Sequence, residues 1–272
     1  MADRQTPAPI FALDRGRASD APALSVVAPM FDEEGGAEAL VAEIAAALSG
    51  LDHEIIAVDD ASRDGTRSAL LRAQTLTPQL RILAHGANAG QSRAVRTGVL
   101  AARAPVVVTI DGDGQNDPAD IPALFKALTR PDAPALLAMV GGERVNRQDP
   151  ASKKRASALA NRIRRRLLDD GAADTGCGLK AFWREAYLRL PYFDHSHRYL
   201  PALMRREGFE TEFLPVNHRA RSHGASKYTN WGRLAVAFRD LSGMVWLKAR
   251  ARAPVTISEL GQSPGYDKKM VA

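Results

Sequence analysis

The chain has 272 residues, 45% hydrophobic and 25% charged, which is long enough to bury a full core and too apolar for a disordered chain. Lys and Arg outnumber Asp and Glu by 37 to 31, and the resulting net charge of +6 with a pI near 9.7 suits an anionic partner: a phosphorylated ligand, nucleic acid or acidic lipid. Cys177 is the one cysteine, which excludes an internal disulfide and a cysteine zinc cluster.

Residues 1–22 are polar, contain prolines and read as a flexible lead-in; their charges leave no apolar core for a signal peptide. Strand and helix signals then alternate. Leu24–Ala28 reads as a strand, Glu34–Leu48 as a helix, Glu54–Val58 as a strand and Thr66–Leu76 as a helix. Leu80–Leu83 follows as a short strand, Ser92–Arg103 as a helix and Val106–Ile110 as a strand. A helix begins near Pro118, and Ala135–Val140 reads as a further strand. This alternation with short loops predicts an α/β fold, a mostly parallel sheet with helices on both faces. In such sheets ligands bind beyond the carboxyl ends of the strands.

The unusual residues stand there. The Val106–Ile110 run ends in Asp111-Gly112-Asp113-Gly114-Gln115-Asn116-Asp117-Pro118. Residues i and i+2 of an extended chain point to one side, so Asp111 and Asp113 can converge, and Gly112 leaves room for close approach. Converging carboxylates repel unless a cation lies between them, which suits Mg²⁺ or Mn²⁺. The same residues would also make a plain acidic turn, with Asp120 capping the next helix. After the second strand comes Asp59-Asp60-Ala61-Ser62-Arg63-Asp64-Gly65-Thr66. Asp64 and Thr66 suit capping, whereas an acid at the end of the strand suits hydrogen bonds to a base or ribose. Asn88-Ala89-Gly90-Gln91-Ser92 opens a helix whose free N–H groups suit a phosphate or a tight turn. No G-x-G-x-x-G follows the first strand, and no P-loop is present.

The order of these motifs resembles glycosyltransferase family 2, in its dolichol-phosphate mannosyltransferase and bacterial polyprenyl-phosphate branch. The resemblance rests on Pro29…Asp32-Glu33, Asp59-Asp60-x-Ser62-x-Asp64-x-Thr66, Asn88-x-Gly90…Arg96-Thr97-Gly98 and Asp111-Gly112-Asp113-x-Gln115-x-Asp117-Pro118. It continues in Gly142-Glu143-Arg144, Asp174-Thr175-Gly176-Cys177-Gly178-Leu179-Lys180 and Arg221-x-x-Gly224-x-Ser226-Lys227-Tyr228, and covers about residues 24–250. Each motif alone is weak; the ordered set is strong. Asp32 stands where the family usually has Asn, which keeps a short polar side chain.

The resemblance implies a GT-A fold and inverting transfer of one sugar from a UDP- or GDP-sugar to a polyprenyl (dolichyl or undecaprenyl) phosphate. It implies a nucleotide pocket of Pro29, Phe31, Glu33, Asp59 and Asp60, with Asp59 reading the base and Arg221 and Lys227 closing on the diphosphate. Asp111, Asp113 and Gln115 would be the catalytic metal site, and Arg144, Arg155 and Ser157 would hold the acceptor phosphate. An ionised phosphate brings its own nucleophilic oxygen, which fits the lack of an obvious His–Asp or Ser–His pair.

Arg147, Lys153 and Lys154 also precede a helix with an apolar stripe of Ala156, Leu159, Ala160, Ile163 and Leu167. Arg164, Arg165 and Arg166 read as a solvated face or a lipid-headgroup contact, and the four histidines at 195, 197, 218 and 223 as surface or loop residues. Trp231, Leu234, Phe238, Leu241 and Val245 keep helical spacing, while Arg239 and Asp240 argue against membrane spanning. That helix would lie on the core or in a membrane surface. The chain divides into a lead-in (1–22), a catalytic domain (23–228), an amphipathic helix (229–252) and a flexible tail (253–272). The expected place is the inner face of the cytoplasmic membrane, peripherally attached. A family 2 enzyme with a non-lipid acceptor would have no use for Arg144, Arg155 and the Trp-flanked helix. A basic module binding nucleic acid is disfavoured by 6% aromatics and no recognition motif. Neither the sugar nor the oligomeric state is legible.

Overall fold

The computed structural model describes residues 13, 15–16, 18, 20–145, 164, 166–172, 174–220 and 230–251, with only the backbone described for 230–237. Seven strands form one sheet: β1 (Leu24–Met30), β2 (His53–Asp59), β3 (Leu80–Ala84), β4 (Val106–Thr109), β5 (Leu137–Arg144), β6 (Lys180–Trp183) and β7 (Glu210–Val216). Their order is β3-β2-β1-β4-β6-β5-β7. β1, β2, β3 and β4 pair in parallel, as do β5 and β7, while β6 runs antiparallel between β4 and β5. The β-branched runs of β1, β2 and β4 are buried almost throughout, as strands covered on both faces must be.

The helices are α1 (Ala37–Ala47), α2 (Thr66–Leu76), α3 (Gln91–Ala101), α4 (Ile121–Thr129), α5 (Arg184–Leu188), α6 (Leu200–Arg206) and α7 (Asn230–Ala249). In α1 the buried residues Ala37, Leu40, Val41 and Ile44 recur at helical spacing, so one stripe meets the core. The expected start at Glu34 is corrected: residues 34–36 make a turn, and Gly36 and Ala37 both donate to the Glu33 carbonyl. The helix expected from Pro118 begins as a single 3-10 turn. Its cap is Asp117, whose carboxylate accepts from Ala119 N at 2.9 Å; Asp120 instead accepts from Asn217 N at 2.7 Å.

Chain order fixes where a ligand can sit. From β1 the chain moves outward through β2 to β3, then returns past β1 to place β4 on its other side. The helices that follow β1 and β4 leave in opposite directions, so a crevice opens beyond the ends of these two strands. The opposite end of the sheet is closed by Glu54, 2% exposed. It accepts from Ser25 Oγ, Arg103 N and Nε, and Arg81 Nη1, all within 2.9 Å.

Candidate active site

Both acids of the 111–113 motif stand at that crevice. Ile110 N still bonds Val27 O, at 3.1 Å, and the chain then turns away. Asn116 Oδ1 accepts from Asp111 N (3.3 Å), Asp113 Oδ1 accepts from Gln115 N (3.1 Å), and Gly114 takes φ +70, so the loop closes on itself. Gly112 is pressed on β1: a Cβ there would lie 2.6 Å from both Met30 Sδ and Pro29 O. Gly178 is pressed on Asp111, where a Cβ would come within 2.2 Å of the carboxyl. Gln91 Nε2 donates to Asp111 Oδ1 at 2.7 Å.

Burial first, then the charge of Asp113, push the Asp111 carboxyl up to about 6, against the pull of Lys180 and Arg144. A buried carboxyl whose ionised state is disfavoured until positive charge arrives, with a second hard oxygen donor beside it, is suited to a divalent cation. Among the described residues no three His, Cys, Asp or Glu gather at one point. A cation on Asp111 and Asp113 would therefore complete its shell with Gln115, ligand oxygens or water.

Around the pair lies a strip of chain, 174–180, that joins it to Arg144. Arg144, the last residue of β5, forks onto Asp174, and Lys180, 5% exposed, donates to the Cys177 carbonyl. Burial lowers the Lys180 ammonium, while Cys177, Asp111 and Asp174 oppose that. Thr109 Oγ1 donates to Gly178 O at 2.8 Å, locking the strip to β4. Arg144, Lys180, Asp111 and Asp174 thus stand within reach of one another's charge.

The pair on β2 has another fate. Asp59 is fully buried; Oδ1 accepts from Ser62 N, and Oδ2 from Arg67 Nε and Nη2 at 3.0 and 2.9 Å. Asp60, 3% exposed, accepts from Ala89 N (2.9 Å) and Gly90 N (2.8 Å) and meets His85 Nδ1 at 2.6 Å. His85 Nε2 in turn meets Thr97 Oγ1 at 2.9 Å. The N–H groups of residues 89 and 90, open to a phosphate in the sequence reading, are therefore already spent on Asp60. Capping by Asp64 is as expected, since Oδ1 accepts from Thr66 N at 3.0 Å.

Pro29, Phe31 and Glu33 line up along the end of β1. Pro29 borders the space beside Asp111, and Glu33 N donates to Thr66 Oγ1 at 2.8 Å. Asp32 explains its own departure from Asn: it sits at φ +52, a conformation Asn and Asp both tolerate, and accepts from Arg63 N at 2.7 Å.

Two readings need correction. His197 is no surface residue: Nδ1 meets Ser92 Oγ at 2.6 Å, and the ring borders a cavity of about 10 Å³ shared with Gln91, Asp111 and Lys180. Burial, with the charges of Arg198 and Lys180, holds it well below the usual imidazole range, so it is neutral. Arg164 is no solvated arginine: it is 7% exposed, donates to Ala172 O at 2.6 Å and lies 3.5 Å from Asp170. In the same segment Leu168 is buried and Leu167 is 46% exposed, which reverses the expected stripe at that point. Arg155, Ser157, Arg221, Lys227 and His223 lie outside the described residues, as do Ala156, Leu159, Ala160, Ile163 and Arg165.

Gln91, His197 and the paired role of Asp174 were missed from sequence. The last stood in plain view, in the motif ending at Lys180. From residue 238 onward helix α7 has an inner and an outer face: Met244 is 2% exposed and Leu241 and Leu247 pack beside it, while Phe238 and Trp246 are 73% and 62% exposed. Asp240 Oδ2 on this helix lies 2.9 Å from His195 Nδ1.

Residues 25–190 match the family Glycosyl transferase family 2. The chain is 34% identical over 251 residues to the dodecaprenyl-phosphate galacturonate synthase of Rhizobium johnstonii, covering 89% of this chain and 72% of that one. It is 32% identical over 213 residues to the undecaprenyl-phosphate 4-deoxy-4-formamido-L-arabinose transferase of Aeromonas hydrophila, 77% of this chain and 64% of that one. The chain thus spans a little under two thirds of the latter's length. In fold it is similar to the glucosyl-3-phosphoglycerate synthase of Mycobacterium tuberculosis, crystallised with Mn²⁺, UDP and phosphoglyceric acid. The TM-score is 0.65 at 18% identity, over 85% of this chain and 80% of that one. Matches of this extent establish membership: the chain belongs to glycosyl transferase family 2, a glycosyltransferase of the GT-A fold.

Proposed function

We propose that the chain transfers a sugar, with inversion, from a UDP- or GDP-sugar to a polyprenyl phosphate at a membrane surface. The observation that carries this is the Asp111/Asp113 pair at the β1/β4 crevice with Arg144 within charge reach of Asp111, in a chain about one third identical to enzymes named for polyprenyl-phosphate acceptors. Pro29, Phe31, Glu33, Asp59 and Asp60 form the nucleotide side, with Asp59 and Asp60 acting partly by fixing the loops that border it. Arg221 and Lys227 take the diphosphate, and Arg144, Arg155 and Ser157 take the acceptor phosphate.

Asp111, Asp113 and Gln115 hold Mg²⁺ or Mn²⁺, which acts as a Lewis acid on the departing diphosphate. The chain's own part is geometric. Gln91 and Gly178 fix the Asp111 carboxyl, and Lys180 balances its charge. Arg144 brings the acceptor phosphate oxygen to the sugar carbon from the side opposite the diphosphate. No group needs to remove a proton, because that oxygen is already ionised. No described helix is long and apolar enough to cross a membrane. The exposed Phe238, Val245 and Trp246 of α7, with Arg250 over the Trp246 ring, suit peripheral contact with a lipid surface.

The test is incubation with Mn²⁺, undecaprenyl phosphate and a panel of radiolabelled UDP- and GDP-sugars. Label should enter lipid with one donor class, fail to enter undecaprenol, and stop with chelator. Label reaching a water-soluble acceptor with no lipid phosphate present would overturn the reading. Flotation on anionic vesicles checks the surface contact.

A further inference from the structure

Arg144 is held more firmly than a phosphate-binding arginine needs for charge alone. Its Nε and Nη2 donate together to Asp174, at 2.5 and 2.9 Å, with both side chains largely buried at 16% and 12% exposure. Asp174 is itself anchored, since Oδ1 also accepts from Gly176 N at 3.0 Å. Gly176 lies flat against the guanidinium, so that a Cβ there would stand 2.7 Å from Nη2. A flexible four-bond side chain is thereby reduced to one orientation. The edge formed by Nε and Nη2 is occupied. Among the described residues Nη1 donates to none, so the second edge of the fork, Nη1 with the remaining Nη2 hydrogen, keeps the spacing that matches two phosphate oxygens.

We propose that Asp174 is a positioning residue for the acceptor: by gripping one edge of the Arg144 guanidinium, it presets the other edge for a phosphate monoester. This rests on the acceptor reading above. It runs against simple charge, because a carboxylate beside a phosphate site repels the ligand. Removing Asp174 would then tighten phosphate binding if charge decided the matter and weaken it if orientation did. Preorganisation of a bidentate donor decides here, since the arginine otherwise loses its rotamer freedom at the moment of binding.

The experiment measures equilibrium binding of farnesyl phosphate, with farnesol as control, to the full chain by calorimetry, alongside Mn²⁺-UDP and Mn²⁺-GDP. Asp174→Ala should weaken farnesyl phosphate about tenfold and leave nucleotide binding unchanged. Asp174→Asn, which keeps one acceptor oxygen, should recover part of the loss. In an Arg144→Ala background Asp174→Ala should change nothing further. Tighter or unchanged binding by Asp174→Ala, or an equal loss without Arg144, overturns the positioning role. Equal weakening of the nucleotide means a general structural role and overturns it too. Wild-type protein that binds farnesyl phosphate no better than farnesol removes the acceptor reading and this proposal together.

Discussion

Two acidic pairs end β2 and β4, the strands on either side of β1, and have opposite fates. Asp59 and Asp60, after β2, are buried and supplied with partners: an arginine fork, a histidine and three backbone N–H groups between them. Asp111 and Asp113, after β4, sit within reach of each other's charge, and Asp111 is pushed up to about 6. Both pairs follow a β-branched strand, so the difference lies in what the rest of the fold brings to them. The first pair is paired off by its own α2 and by the chain leading into α3. The second is met by Gln91, by a glycine and by a lysine already donating to a carbonyl, which leaves negative charge in excess. On the proposed function, one pair builds the pocket and the other acts in it.

Exchanging the roles by mutation separates them. Asp113→Ala should cost on the order of 10²- to 10³-fold in the rate of sugar transfer, the scale of several kcal/mol of charge stabilisation, with little change in melting temperature. Rate and melting curves on one preparation check this; full activity would return the motif to a plain turn. Asp60→Ala should do the reverse. It strands two backbone N–H groups and His85, and should cost about 2–3 kcal/mol of stability in urea unfolding. Its effect on rate should follow only from the loosened residues 88–90.

The sequence disclosed the first half of the molecule far better than the second. Through β4 every strand is a compact apolar run closed by Gly, Asp or Asn, so alternation and ligand end were readable, and Thr66–Leu76 came out with its observed bounds. β6 is only four residues long and begins with a lysine, and β7 carries charged residues and a proline, tolerable on an edge strand. Neither announces itself by period, and both owe their place to long-range pairing. The site followed the same rule. Asp111, Asp113 and Arg144 were legible as motif members. That Asp174 grips Arg144 across thirty residues, or that Ser92 orients His197 across more than a hundred, is a product of the sheet order and not of any local pattern.

Asp59 and Asp111, one from each pair, should also titrate with opposite sign. At Asp59 burial raises the carboxyl, but the Ser62 hydroxyl and amide and Arg67 outweigh it, and the net shift is down. Its contribution to stability is therefore full above the ordinary value near 3.8 and is lost as pH falls through the lower folded value. Asp111 stands the other way: with its folded value near 6 and an ordinary value of 3.8, the folded chain holds a proton that the unfolded chain has released. Metal-free protein should lose stability as pH rises between those two values and level off above about 6. Asp111→Asn should abolish that slope. Mn²⁺, which selects the ionised form, should compete with the same proton, so its apparent affinity should fall by up to about tenfold per pH unit below 6. Calorimetric Mn²⁺ titrations between pH 5 and 7 measure it. A flat profile would mean that the cation does not displace a proton from Asp111, and the contrast between the two pairs would then rest on partners alone.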